Sequence, residues 1–143
     1  MSTLYDRDFY AWTQEQAILL QKHNWEQIDL ANLIEEIQTL GRQERKELRN
    51  RLGVLLGHLL KWQFQPQRRS NSWVATIKEQ RRRIIDLLEE SPSLQSYLEE
   101  ALQVGYADGI DLAVQETNLP YETFPTFSPY TLEQALDAEY LPE

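Results

Sequence analysis

The chain has no cysteine. That excludes disulfides, thiolate metal sites and thiol nucleophiles. It has two histidines, His23 and His58, too few for a histidine-rich metal centre. No run of about 18 apolar residues occurs, so no membrane partner and no spanning segment are expected. Residues 1–9 carry Asp6, Arg7 and Asp8 and no apolar stretch, which is not the pattern of a secretory signal. A cytoplasmic protein is expected. Glycine and proline are sparse, five and six residues, so the chain is neither collagen-like nor low in complexity.

What remains is an ordinary globular composition. Of 143 residues, 41% are hydrophobic and 26% charged. That length suits one domain and can bury roughly two-thirds of its unfolded surface. Charge, by contrast, is segregated within a net −9. Residues 1–41 hold two basic and seven acidic side chains. Residues 42–83 hold twelve basic and three acidic ones. Residues 84–143 hold thirteen acidic residues and no lysine or arginine. A pI near 4.7 weighs against general nucleic-acid binding, because the whole molecule repels phosphate. The basic middle either packs against the acidic remainder or presents a patch to a partner.

Periodicity predicts an all-α fold. Phe9, Trp12, Gln16, Leu19 and Leu20 recur at helical spacing over about Asp6 to Lys22. His23-Asn24 reads as a turn, and Asp29 as an N-cap for the next helix. That second helix is long. Leu30, Leu33, Ile34, Ile37, Leu40, Leu48, Leu52, Leu55, Leu56, Leu59 and Leu60 trace one stripe as far as Phe64. Unbroken, it would be a rod of about 52 Å, long for a domain of this size. Either Gly41 bends it, or it projects and another chain covers it. Pro66 ends it, since the residue before proline avoids the helical region.

Ser70 or Ser72 can cap a third helix, whose apolar face is Trp73, Ile77, Ile84, Leu87 and Leu88. Ser91-Pro92 stops it and starts a fourth, to about Glu116, with Leu94, Leu98, Ala101, Leu102, Gly105, Tyr106 and Ala113 inward. From Thr117, prolines alternate with Tyr121, Phe124, Phe127 and Tyr130. This predicts an extended aromatic tail laid on the bundle with its rings buried. Thr131-Leu132-Glu133-Gln134 has capping-box spacing for a short terminal helix. The expected architecture is a bundle of four main helices over 1–116 and a docked tail over 117–143.

Several blocks stand together: Tyr5-Asp6-Arg7-Asp8-Phe9-Tyr10-Ala11-Trp12, Asn32-Leu33-Ile34-Glu35-Glu36-Ile37, Leu55-Leu56-Gly57-His58-Leu59-Leu60-Lys61-Trp62 and Gln80-Arg81-Arg82-Arg83-Ile84. With Gln65-Pro66, Arg69-Ser70, Ser72-Trp73, Ser91-Pro92-Ser93-Leu94 and the Thr131 block, the chain resembles the mainly cyanobacterial family called domain of unknown function 29. The resemblance covers nearly the whole chain and implies one all-helical domain. It implies no activity, substrate or cofactor.

Three constellations could carry chemistry. A hairpin about residue 25 sets Glu35 opposite Glu15, and facing carboxylates can hold a divalent cation. Glu36 and His58 complete the metal candidates, although about 33 Å of straight helix separates those two. His58 stands among Leu55, Leu56, Leu59 and Trp62, and a fold-back near residue 67 faces it with Thr76, Ile77 and Gln80. It reads as a neutral core histidine bonded to such a neighbour, or as a base. No triad spacing accompanies it, so no catalytic residue is assigned.

The third constellation is Lys61, Trp62, Arg68, Arg69, Trp73, Arg81 and Arg82, cations interleaved with indoles. That is the ingredient list of an anion or single-stranded nucleic-acid surface. It also suits a helix junction, with Trp73 on Gly105 and Gly109 and the arginines paired to Glu99 and Glu100. Gly53/Gly57 and Gly105/Gly109 are small-residue pairs that signal close helix approach in a bundle. Segregated charge, a long helix and no catalytic spacing predict a small regulatory module that binds a protein partner or a second copy of itself. Anion binding through 61–83, or a metal-holding bundle, are the other expectations.

Overall fold

A computed structural model of the chain describes residues 3–143. All regular structure in them is helical: α1 Leu4–Arg7, α2 Phe9–Gln21, α3 Leu30–Phe64, α4 Asn71–Glu90, α5 Leu98–Thr117 and α6 Leu132–Leu136, with short 3-10 turns between. The chain divides into two compact units, the first ending at Arg42 and the second spanning Gln43–Glu143. Helical assignment in α3 runs through Gly41 without interruption.

The first unit is pinned by polar groups. The expected single helix from Asp6 is two, because the Asp8 carboxylate accepts from the Ala11 amide and starts α2 afresh. Asp29 stands just before α3 and takes hydrogen bonds from the Trp12 indole at 3.0 Å and the Asn32 amide at 2.8 Å. Its own N–H donates to Gln16 Oε1 at 2.7 Å. Bonding by Asn32 above all, aided by Trp12, lowers the Asp29 pKa despite the opposing cost of desolvation. Trp12 and Gln16 are the buried side chains of α1 and α2, and Tyr5 and Phe9 pack their rings against Trp12. His23, at φ 59°, makes the left-handed turn that ends α2.

The second unit has a conventional core. Leu48, Leu52, Leu55, Leu56, Leu59 and Leu60 of α3 meet Ile77, Ile84, Leu87 and Leu88 of α4 and Ala101, Leu102, Tyr106 and Ala113 of α5. Ser70 caps α4 by accepting from the Trp73 amide. Ser91 makes no side-chain cap; Pro92–Tyr97 winds as 3-10 turns and the α-helix begins only at Leu98. Asn118, in the left-handed conformation at φ 60°, closes α5.

The glycine pairs face each other rather than Trp73. A Cβ on Gly105 would lie 2.9 Å from the Arg49 carbonyl and 3.2 Å from the Gly53 nitrogen. One on Gly109 would lie 3.0 Å from the Gly57 nitrogen. Backbones of α3 and α5 therefore touch along a seam that only glycine fits.

The tail joins this core through part of its aromatic set. Phe124, Tyr130 and Ala135 are buried, while Tyr121 and Phe127 stay exposed. Tyr106 donates to the Pro125 carbonyl and Tyr130 to Gln63 Oε1, both at 2.7 Å. Burial pushes the Tyr106 hydroxyl pKa up to about 12 and raises that of Tyr130 as well. The capping box of Thr131 and Gln134 forms as expected.

Arg81 does not reach Glu99 or Glu100. It is buried, and donates from Nε to the Ala135 carbonyl at 2.8 Å and from Nη2 to the Gln134 carbonyl at 3.3 Å. A guanidinium thus satisfies the Ala135 carbonyl at the C-terminal end of α6 and adds a second donor to the Gln134 carbonyl, which also accepts from the Asp137 N–H. Arg81→Ala is expected to cost about 2–3 kcal/mol, the worth of a charge-assisted hydrogen-bond set. Limited proteolysis checks it: cleavage within 132–143 should accelerate in the variant, and an unchanged digestion pattern would refute the role.

Candidate functional site

The seven residues of the basic segment have mostly internal duties. Lys61 is buried, ion-paired to Glu116, with its ammonium 4.5 Å from the centre of the Trp73 ring. Arg69 donates to the Trp62 carbonyl at 2.8 Å and lies 4.7 Å from the Trp62 ring centre. Arg81 clamps the tail. Arg68 and Arg82 are exposed. Both indoles of this segment thus already carry a cation of their own chain. Arg81 and Arg82 also line a groove of about 350 Å³ with Lys78, Ile85, Asp86, Ala138 and Glu139, in which two carboxylates oppose the cations.

The metal candidates have separate partners. Glu35 pairs with Arg42 at 3.2 Å, both exposed. Glu36 accepts from the Tyr5 hydroxyl, and that bond pushes the Tyr5 pKa up to about 12. Among the described residues no group of three or more His, Asp or Glu side chains assembles as metal ligands.

His58 is buried, and its partner is the Val54 carbonyl at 2.9 Å on the same helix, not Thr76, Ile77 or Gln80. A carbonyl only accepts, so Nδ1 carries the proton of the neutral ring. Burial lowers the His58 pKa. The Val54 bond and Glu116 oppose that, while Lys61 adds to it. The folded chain then binds this proton less readily than the unfolded one. Stability from this group is complete above about pH 6.5 and is lost as pH falls through that value toward the lowered folded pKa. His58→Gln is expected to flatten this acid limb. Urea midpoints at about pH 7.5 and 5.5 check it, and an equal drop in both proteins would refute it.

What periodicity did not separate from the core is an exposed apolar stripe. Leu30 is 59% exposed, Ile34 47%, Ile37 67% and Leu40 62%. They stand at i, i+4, i+7 and i+10 on the first third of α3. Of fourteen exposed large hydrophobic residues among those described, nine lie in the first unit. Trp25, Phe9, Tyr10, Ile18 and Leu20 are the others there. The sequence signal was available: this is the stretch of the long apolar stripe that precedes Gly41. Exposed apolar residues concentrated in this way mark interaction surfaces, whereas scattered ones need no explanation.

No helix among the described residues is long and apolar enough to cross a membrane. No curated protein and no solved structure matches the chain. The family model described as "Domain of unknown function DUF29" matches residues 4–141, nearly the whole length, so the chain belongs to that family.

Proposed function

We propose that the protein is a cytoplasmic protein-interaction module that acts by binding another polypeptide through the exposed face of α3 formed by Leu30, Ile34, Ile37 and Leu40. The exposure of these four side chains carries the reading. A unit of about forty residues is near the lower limit for a self-sufficient hydrophobic core. Among the described residues of that unit the buried apolar side chain is Trp12, and polar pins do the rest. Covering the stripe would supply the missing apolar burial. Anion binding through residues 61–83 has less support, because Trp62 and Trp73 are already covered by Arg69 and Lys61.

The test is purification of the full chain from the cells that make it, with nuclease treatment. A second polypeptide at near-equal amount is expected, with a light-scattering mass above that of one chain. A solitary monomer by both measurements would overturn the reading.

A further inference from the structure

The groove between α4 and the turn after α6 contains a buried positive charge that no acidic side chain answers. We propose that this groove binds a small molecule with a carboxylate head and a compact apolar body, the carboxylate meeting Arg81. The site is separate from the α3 stripe and does not rest on the interaction reading.

The buried cation comes first. Arg81 is 3% exposed, yet its bonds, from Nε and Nη2, go to the neutral carbonyls of Ala135 and Gln134. No carboxylate among the described residues is ion-paired to it. A buried charge is costly unless an opposite charge answers it. Desolvation accordingly dominates and lowers the Arg81 pKa, while Asp137 and Tyr140 act against that without bonding to the guanidinium. The third nitrogen, Nη1, has no hydrogen-bond partner among the described residues. It is not sealed from solvent either, since no buried side-chain nitrogen or oxygen there is left unpartnered. Arg81 lines the groove, so Nη1 is the donor left for what enters it.

The surroundings fix the class of ligand. Lys78 and Arg82, one turn apart on α4, line the same groove, are exposed and are likewise not ion-paired. Against the three cations stand two carboxylates, Asp86 and Glu139, so one positive charge is in excess. That balance suits a singly charged carboxylate better than a doubly charged phosphate, which Asp86 and Glu139 would repel more strongly. Arginine meets a carboxylate with forked donors. Exposed Ile85, one turn beyond Arg81, and Ala138 on the facing turn supply apolar surface. The volume of about 350 Å³ lies at the low end for small-molecule sites, which pair an apolar lining with a few polar donors. This site takes the end of the basic segment and neither of its indoles.

Octanoate is the probe, titrated into the full chain by calorimetry, with octanol and inorganic phosphate for comparison. Octanoate is expected to saturate one site with a Kd of about 1 mM or tighter. Octanol and phosphate are expected to bind at least about tenfold more weakly. The double variant Lys78→Gln, Arg82→Gln, at exposed positions, is expected to weaken octanoate about tenfold. Ala138→Trp, also at an exposed position, is expected to abolish binding by filling the groove. Saturating octanoate is also expected to slow cleavage within 132–143, because its carboxylate and the tail carbonyls share one guanidinium. No saturation by about 10 mM, or octanoate binding unchanged in both variants, would overturn the inference. Octanol binding as tightly as octanoate would overturn the role of the cations, and phosphate binding more tightly would overturn the carboxylate class.

Discussion

Ile37→Lys, placed on the most exposed position of the α3 stripe, is expected to weaken partner binding by at least about a hundredfold. Full burial of an isoleucine is worth roughly 1.5–3 kcal/mol, and about two-thirds of this one is open to a partner. A charged group forced into the interface adds a desolvation cost of similar size or larger. About 3 kcal/mol in total is a factor of one hundred or more in affinity. Ile37→Glu loses the same burial and likewise forces a charge into the interface, so it is expected to weaken binding comparably. Both variants should melt within about 0.5 kcal/mol of the parent, because the side chain contributes little to the folded chain alone. Titration against the co-purified partner checks the affinities, and circular dichroism checks the fold. Unchanged binding in both variants would remove the stripe from the interface.

Gly105→Ala should destabilise the second unit, whereas Gly41→Ala should stabilise the chain. An added methyl on Gly105 meets a backbone oxygen, the Arg49 carbonyl, at 2.9 Å. A helix backbone cannot swing aside as a side-chain end can. Overpacking of this kind costs about 1–3 kcal/mol, and the better helix propensity of alanine returns about 1. The net is a loss of up to about 2 kcal/mol for alanine, rising beyond about 4 for Gly105→Leu. Gly41 has nothing within 4 Å of its added Cβ, so only the propensity gain of about 1 kcal/mol remains there. Urea denaturation of the three variants gives the comparison directly. Equal shifts at 41 and 105 would mean that the seam is not tight in solution.

Helix identity was legible because it rests on local spacing: α3, α4, α5 and the Thr131 cap stand where apolar periodicity and capping residues put them. What escaped was partnership. A fold-back about Ser91 sets Trp73 on Gly105 and Gly109, an expectation that takes sequential helices to share their smallest residues. The seam instead joins α3 to α5, and Trp73 receives the Lys61 ammonium. Arg81 was matched to acidic side chains, but its acceptors are main-chain carbonyls of Gln134 and Ala135, which have no side-chain signature. Asp8 lies just ahead of the apolar rhythm that begins at Phe9, and rhythm alone does not reveal that its carboxylate restarts the helix. The candidate face was written in the same letters as the core. Leu30 to Leu40 and Leu48 to Leu60 share one period, and only three-dimensional packing separates the stretch that is covered from the stretch that is not.

The α3–α5 glycine seam also bears on how fast the second unit reaches its native state. Helical proteins fold quickly when their contacts are close in sequence. Here the close helix approach joins Gly53 and Gly57 to Gly105 and Gly109, and the Tyr130 hydroxyl must find Gln63. Each requires closure of a loop of fifty residues or more before any packing energy returns. The second unit is therefore expected to fold more slowly than a bundle of purely local contacts, limited by the meeting of two glycine-lined helix faces rather than by the winding of the helices themselves.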